Sequence, residues 1–161
     1  MGADIIGSAS NKLIKGIPQI QDPLTQLVPN IESVASSGNI VSDEAQDVLQ
    51  VLTPGFFTLQ ANRCLPLIVE CNKALSNLPP ATPTTAKIQR RWFESMRDEL
   101  QTLQSQTFPQ LEANINTFYT VPEPASKISA LTSIVGQLPS IIQSFVVMTA
   151  NLVKTRIALR I

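Results

Sequence analysis

The apolar residues of this chain recur at helical spacing, and no sustained alternation of apolar and polar residues is present. Asp22 and Pro23 predict the cap and the first position of a helix, because proline lacks the N–H that this position leaves unpaired. After them, apolar residues follow in steps of three, four and three residues, at Leu24, Leu27, Ile31 and Val34. These steps place the residues on one face of an amphipathic helix.

A longer amphipathic pattern begins at Thr85. Its apolar residues step by four, four, four and three, at Ile88, Trp92, Met96, Leu100 and Leu103. The opposite face carries most of the charge, at Arg90, Arg91, Glu94, Arg97, Asp98 and Glu99. Pro109 is predicted to interrupt this helix, and Pro139 to break or kink the apolar run that starts at Ile128. A last helix is then expected from Ser140 onward.

The stretch from Thr53 to Leu75 is predicted to be the central helix. Thr53 suits the N-cap and Pro54 the first helical position. Its apolar residues cover most of the helical circumference, which is typical of a buried helix. We therefore expect the other helices to pack around this one.

Together these patterns predict an all-α fold, an antiparallel bundle of five to six helices with several kinked at proline. A short helix is expected around Ser10 to Ile17, and another after a cap at Ser42. Proline-rich loops are expected at 78–84 and 121–124. We predict one domain over residues 1–161, with 4–21 as a loosely packed N-terminal segment and 154–161 as a tail. No heptad pattern long enough for a coiled coil is recognised.

Composition excludes several classes of function. Twelve Lys and Arg balance twelve Asp and Glu, so the electrostatic basis for nucleic-acid binding is missing. No apolar run approaches the roughly 20 residues of a membrane-spanning helix, and no transmembrane segment is predicted. The start of the chain, Met1 to Asp4, lacks the charged and apolar regions of a signal peptide.

The residues needed for common catalytic or metal chemistry are scarce. The chain has no histidine and two cysteines, and Cys64 and Cys71 are too far apart along one helix for a disulfide. We expect free, buried thiols, no catalytic residues, no metal and no cofactor. An enzyme would have to rely on cysteine, carboxylates or Tyr119 alone.

A binding cavity is the remaining candidate site. Kinked helices pack imperfectly, and the interior of a bundle is a recognised place for a small-molecule site. Gln60 and Thr149 lie within otherwise apolar faces, where each is able to bond a ligand, a backbone carbonyl or water. The alternative is a filled core whose outer face binds a protein partner or a hydrophobic surface.

The stretch from Ser37 to Leu75 carries a small-residue turn at Ser37 and Gly38, the capped Ser42-Asp43-Glu44 start, the Leu52-Thr53-Pro54 step and a long predicted helix. This pattern resembles the fungal hydrophobic surface-binding proteins, also called cell-wall galactomannoproteins. The resemblance implies a secreted or wall-associated helical bundle that adsorbs to hydrophobic surfaces or encloses fatty acids. From the chain alone, a cytoplasmic location is the alternative.

We therefore predict non-enzymatic binding of a lipid or another apolar small molecule, such as a fatty acid. The ligand's tail is expected among aromatic and methionine side chains, namely Phe56, Phe57, Trp92, Phe93, Met96, Phe145 and Met148. Gln60 and Thr149 are the predicted contacts of its head group. The sequence leaves the oligomeric state and the identity of the ligand open.

Overall fold

A computed structural model describes residues 2–37, 50–78 and 84–159, and every regular element in these ranges is helical. The helices are α1 (Gly2–Ser37), α2 (Phe56–Asn77), α3 (Thr84–Thr102), α4 (Phe108–Thr120) and α5 (Pro124–Leu159). A π-helical turn, Leu103–Thr107, joins α3 to α4. The predicted all-α class is confirmed. Because α3 and α4 form one continuous rod, the described ranges hold four rods, and the expected five to six helices are not confirmed.

Side-chain contacts show that α1 and α2 run antiparallel. The Arg63 guanidinium donates a hydrogen bond to the Gln19 carbonyl at 2.8 Å. Further along, the Lys12 ammonium lies 3.7 Å from the Glu70 carboxylate. Residue numbers therefore fall along α1 as they rise along α2, so the second rod returns beside the first.

The third and fourth rods continue this alternation. The rings of Phe57 in α2 and Phe108 in α4 stack with their centroids 6.1 Å apart, and the Tyr119 hydroxyl donates to the Leu52 carbonyl at 2.8 Å. In turn the Asn114 amide of α4 donates to the Ser133 hydroxyl of α5 at 3.3 Å. Because α5 also packs against α1, the rods close an up-down-up-down four-helix bundle.

The buried residues follow a heptad pattern along each rod, in alternate steps of three and four. In α1 the stripe is Ile6, Ser10, Leu13, Ile17, Ile20, Leu24, Leu27, Ile31 and Val34. In α5 it is Leu131, Ile134, Leu138, Ile141, Phe145, Met148, Leu152 and Thr155. This is the seam of a left-handed bundle. The expectation that no long heptad pattern exists is therefore wrong, because these seams continue through prolines at which the sequence reading divides the helices.

The predicted central helix is half buried rather than covered on all sides. Its seam consists of Phe57, Gln60, Cys64, Leu67, Cys71 and Ala74, continued by Leu78 beyond the helix. By contrast, Leu59, Leu65 and Val69 are between 46% and 51% exposed. The expectation of burial all round is wrong, because α2 is one of four equivalent rods and has an outer face like the others.

The π-helical turn keeps the third rod in register with the core. Its buried residues step by three and four except between Leu103 and Phe108, which are five apart. In an α-helix one extra residue would rotate everything after it by about 100°. The Phe108 N–H instead bonds the Leu103 carbonyl, and this wider turn absorbs the extra residue. Phe108, Leu111, Ile115 and Phe118 therefore stay buried.

Prolines do not divide the helices as the sequence predicts. Helix α1 runs unbroken through Pro18, Pro23 and Pro29, and α5 runs through Pro139. The separate helices expected at Ser10–Ile17 and after Asp22 are therefore one helix. Residues 4–21 form its first half, where Ile6 is 2% exposed. In each rod the continuous buried seam offsets the hydrogen bond that each proline removes.

Helix α2 begins differently from the prediction. Its N-cap is Gly55 rather than Thr53, with a φ of 94° that favours glycine. The carboxylate of Glu112, on α4, accepts the N–H groups of Gly55 at 2.8 Å and of Phe57 and Thr58 at 3.0 Å each. A cap supplied by another helix replaces the local threonine, and its anionic charge suits the positive end of the helix dipole.

Some expectations lie outside the described residues. The predicted Ser42 cap and the middle of the 78–84 loop belong to this group, as do the last two residues of the predicted tail. Of the described helices, the stretch Pro124–Ala158 of α5 is long and apolar enough to cross a membrane by length and composition alone, and 33% of its most apolar window is buried in the bundle. That no transmembrane segment exists therefore stays a prediction.

Candidate functional site

A groove of about 280 Å³ lies between α3 and α5. Its apolar lining comes from Trp92 and Met96 of α3 and from Val147 and Met148 of α5. Polar side chains complete the lining, at Ser95, Glu99, Ser140, Gln143, Ser144 and Asn151. We call this feature the α3–α5 groove. Its size is close to the lower end of the roughly 300–1,000 Å³ of small-molecule sites, and it has their usual mixture of apolar walls and a few polar groups.

Small side chains on α5 leave space for the groove. Ser140 and Ser144 are followed by Val147 and Asn151 in steps of four, three and four, beside the buried seam. The Ser140 hydroxyl donates to the Gln137 carbonyl and the Ser144 hydroxyl to the Ser140 carbonyl, each at 3.1 Å. Each oxygen thus keeps lone pairs with which to accept a ligand hydrogen bond.

The structure separates the predicted tail-binding residues into two groups. Trp92, Met96 and Met148 line the α3–α5 groove. Phe57 and Phe145 are 0% exposed, and Phe93 is 1% exposed, so almost no surface of these rings is within reach of water. These three rings fill the core. The predicted set therefore does not surround one open cavity.

The remaining predicted residues lie away from the groove lining. Phe56 is half-buried, with its ring 5.1 Å from Phe57 in an edge-to-face contact. Gln60 is buried and accepts a hydrogen bond from Arg63 at 3.4 Å, which fixes the guanidinium against α1. Thr149 is half-buried in α5 and does not belong to the lining. The polar residues of the groove are instead Ser95, Glu99, Ser140, Gln143, Ser144 and Asn151.

A sequence signal for these missed residues exists. Ser140, Ser144 and Asn151 follow heptad spacing one residue before seam residues Ile141, Phe145 and Leu152. Positions beside a seam face the neighbouring helix, and small residues there leave space. Recognising that space also requires knowing that Trp92 lies opposite these residues. The position of Trp92 depends on how α3 and α5, which are far apart in the sequence, align in the bundle.

Two other grooves have a different chemical character. Between α1 and α2, a groove of about 320 Å³ is lined by charged side chains that include Lys12, Lys15, Arg63 and Glu70. Glu70 is 8% exposed and pairs with Lys12 and with Lys73. The other groove lies between α4 and α5 and is lined by Ala, Ser, Thr and Asn residues. Neither has the aromatic and thioether walls of the α3–α5 groove.

The cysteines of α2 are free and buried, as predicted. Burial raises the pKa of each thiol from 9.0 to about 12, and at Cys71 the nearby Arg97 opposes part of this effect. Both are therefore protonated thiols at neutral pH and weak nucleophiles. In the described part of the chain, no group of three or more His, Cys, Asp or Glu side chains is placed to hold a metal ion.

Comparisons with known proteins identify no relative: the chain matches no protein-family model, no curated protein and no solved structure. The resemblance to fungal hydrophobic surface-binding proteins therefore stays a prediction.

Proposed function

We propose that this protein is a non-enzymatic binding protein for an apolar small molecule, and that the α3–α5 groove is its site. The observation that carries this proposal is the placement of Trp92, Met96, Val147 and Met148 around one groove. Apolar surface that leaves water on binding contributes about 25 cal/mol per Å². A flexible chain or a flat ring system would gain this free energy without any ion pair.

The polar lining favours a ligand with an uncharged head group. Serine hydroxyls and the amides of Gln143 and Asn151 are able to bond an alcohol or ester. Glu99 places a carboxylate on the same lining, where it would repel a second carboxylate. A long-chain alcohol or a monoacylglycerol therefore suits the groove better than an ionised fatty acid, although both belong to the predicted class.

Two methionines allow the groove to adapt to its ligand. Met96 and Met148 are 3% and 5% exposed and line the groove, and each follows a buried phenylalanine, Phe93 or Phe145, by three residues. Thioether side chains are flexible and polarisable, so they adjust to ligands of different shape at low cost. A short rotation of either side chain would deepen the groove toward Phe93 and Phe145.

Fluorescence of Trp92 tests the proposal directly, because the chain contains one tryptophan. Delipidated protein is titrated at neutral pH with hexadecanol, and separately with hexadecanoic acid, below the aggregation limit of each. We expect a saturable change in Trp92 emission with both, and tighter binding of the alcohol. In Glu99→Gln the difference between alcohol and acid should shrink. Native mass spectrometry of gently purified protein then reports any ligand carried from the source.

A filling variant and a matched control distinguish the groove from other apolar surface. Ser144→Trp places a large ring in the groove, so affinity measured by native mass spectrometry should fall by about tenfold or more, equivalent to about 1.4 kcal/mol. Thr132→Trp is the control, since Thr132 is exposed on the same helix and also bonds a preceding carbonyl. Equal affinity of the two variants, or no saturable binding to the unmodified protein, would overturn the proposal.

The alternative function is an interaction module that binds a protein partner or a hydrophobic surface. Exposed apolar residues on α5 favour it, because Val146, Val153 and Ile157 are 45%, 47% and 73% exposed. This alternative predicts that partner capture survives in Ser144→Trp and is lost in Val153→Ser/Ile157→Ser. The secreted or cell-wall location, proposed on the resemblance alone, is tested by cell fractionation.

A further inference from the structure

Charge is separated along the axis of this formally neutral chain. We define the basic half as the half of the bundle that contains the N-terminus of α1. Its boundary follows from the pairing of Gln19 with Arg63, of Phe57 with Phe108 and of Asn114 with Ser133. It comprises residues 2–20, 62–78, 84–104 and 140–159. The remaining described residues form the acidic half.

The two halves differ in sign. The basic half carries ten cationic side chains, at Lys12, Lys15, Arg63, Lys73, Lys87, Arg90, Arg91, Arg97, Lys154 and Arg156. It carries five carboxylates, at Asp4, Glu70, Glu94, Asp98 and Glu99. The acidic half carries one cation, Lys127, and four carboxylates, at Asp22, Glu32, Glu112 and Glu123. One half is therefore positive by five charges and the other negative by three, a polarity that the overall balance conceals.

Exposed apolar side chains concentrate in the basic half. In the part of the chain that the structure describes, eleven large hydrophobic residues are exposed, and eight of them lie in this half: Ile5, Leu65, Val69, Ile88, Val146, Val147, Val153 and Ile157. Because α3 and α5 are antiparallel, the start of α3 and the end of α5 lie at the same end of the bundle. This brings Ile88 and the 73%-exposed Ile157 to one end together with exposed Lys87, Arg91 and Lys154.

We infer that the basic half docks on an anionic lipid surface. Lysine and arginine are attracted to the negative potential of acidic head groups. Exposed Ile88, Val153 and Ile157 would enter the boundary between head groups and acyl chains, as the apolar face of an interfacial helix does. A nucleic acid fits the charge but offers no apolar layer for these side chains. The acidic half would point away from the membrane and orient the bundle.

This inference goes beyond ligand binding and does not depend on it. The docking side chains Lys87, Arg91 and Lys154 are separate from the α3–α5 groove lining. Docking should therefore persist in Ser144→Trp, whose groove is filled. Ligand binding in solution should likewise persist when the docking charges are removed. The two proposals fail separately.

Vesicle co-flotation tests the docking. Unmodified protein should bind vesicles of phosphatidylcholine mixed with phosphatidylserine at least about tenfold more tightly than vesicles of phosphatidylcholine alone, and added salt should weaken the binding. The triple variant Lys87→Gln/Arg91→Gln/Lys154→Gln should lose this preference. A control with the same net charge, Asn30→Glu/Gln110→Glu/Asn116→Glu, alters three exposed positions in the acidic half and should bind as the unmodified protein does.

A second pair of measurements tests the apolar contribution. Ile88→Ser/Ile157→Ser should weaken binding to the mixed vesicles about tenfold while leaving the attraction to a soluble polyanion such as heparin unchanged. Circular dichroism melting checks that all variants fold. The inference is overturned if the mixed vesicles are not preferred, or if the charge control loses as much binding as the triple variant. Retention of vesicle binding by the isoleucine variant would also overturn it, and would indicate a polyanion as the partner.

Discussion

The third rod packs in two different ways on either side of its π-helical turn. We call the contact of α4 with α2 and the residues just before it the closed seam: Phe108 stacks on Phe57, Glu112 caps α2, and Tyr119 bonds the Leu52 carbonyl. We call the contact of α3 with α5 the open seam, where Trp92 faces small side chains across a groove. One continuous rod thus stabilises the bundle through α4 and presents a site through α3.

The difference shows how a bundle combines stability with a binding site. The closed seam uses large apolar residues and charge-assisted hydrogen bonds, which contribute most to stability. The open seam carries polar residues in its groove lining. The buried stripe of α3 itself includes Gln89, which is 1% exposed with no partner for its Nε2 atom among the described residues. We therefore expect α4 to contribute more than α3 to the stability of the bundle.

The largest expected difference concerns the aromatic side chain at the centre of each seam. Phe108→Ala should lower the free energy of unfolding by about 4 kcal/mol, because it opens a cavity in the buried stack with Phe57. Trp92→Ala should cost about 1–2 kcal/mol, since its ring is half-buried and lines a groove. Urea unfolding followed by circular dichroism measures both. Similar losses would contradict the distinction between the seams.

The pH dependence of stability in alkaline solution tests whether water is excluded from the core next to the open seam. The folded-state pKa of both thiols is about 12, above the ordinary 9.0, so folded protein holds these protons more tightly than unfolded protein. Their contribution to stability is complete below pH 9 and is lost as pH rises toward 12. The loss should be about 1.4 kcal/mol per thiol for each pH unit.

The measurement is the free energy of unfolding between pH 8 and pH 10.5, compared with that of Cys71→Ala and Cys64→Ala. Each substitution should flatten the pH dependence equally. Cys71 lies near Arg97 of α3 and therefore reports on the part of the core that α3 covers. If removing Cys71 leaves the slope unchanged while removing Cys64 flattens it, water reaches the core from the groove and the account of a closed core is wrong.

A pair of glutamates compares the polar contacts of the two seams. Glu112→Ala removes the acceptor of three N–H groups at the start of α2 and should cost about 2 kcal/mol. Glu99→Ala, in the groove lining, should change stability by about 0.5 kcal/mol or less. Thermal melting of the two variants measures the difference. Equal destabilisation by the two variants would show that the cap from α4 contributes no more to stability than a groove-lining glutamate does.

The smallest expected effect has the opposite sign. Gln89→Leu replaces an unpaired buried donor with an apolar side chain of similar size and should stabilise the fold by about 1 kcal/mol. The control is Gln110→Leu on the exposed side of α4, which should be nearly neutral. Chemical denaturation detects the gain. Destabilisation by Gln89→Leu would mean that the Gln89 amide has a partner, such as a buried water. Helix α3 would then not carry the cost of an unpaired buried donor.

The fold class follows from sequence because each rod has a nearly continuous apolar stripe. The steps at Leu24, Leu27, Ile31 and Val34 predict a helix that the structure contains. The number of helices was not predictable from prolines. The rule that proline breaks or kinks a helix considers only the backbone near Pro18 or Pro139, whereas the buried seam that continues on both sides keeps each helix whole. The same applies to Thr53, whose capping role passes to Glu112, a residue more than fifty positions away.

The candidate site was predictable only in part. Residue type predicts Trp92, Met96 and Met148 as ligand contacts, and all three line the groove. Phe57, Phe93 and Phe145 have the same chemistry but lie on the seam itself and fill the core. The spacing of both sets along the chain predicts that they lie in or beside the core. It does not predict the groove, which depends on which small side chains of α5 lie opposite α3. That alignment is a property of the assembled bundle.

Methyl NMR of the methionines tests the central claim most directly. The chain has three methionines, and Met96 and Met148 both line the α3–α5 groove. With ¹³C-methyl-labelled methionine, saturation with hexadecanol should shift the Met96 and Met148 signals together. Saturable binding that leaves both groove signals unmoved would contradict the claim that this protein binds its apolar ligand between α3 and α5.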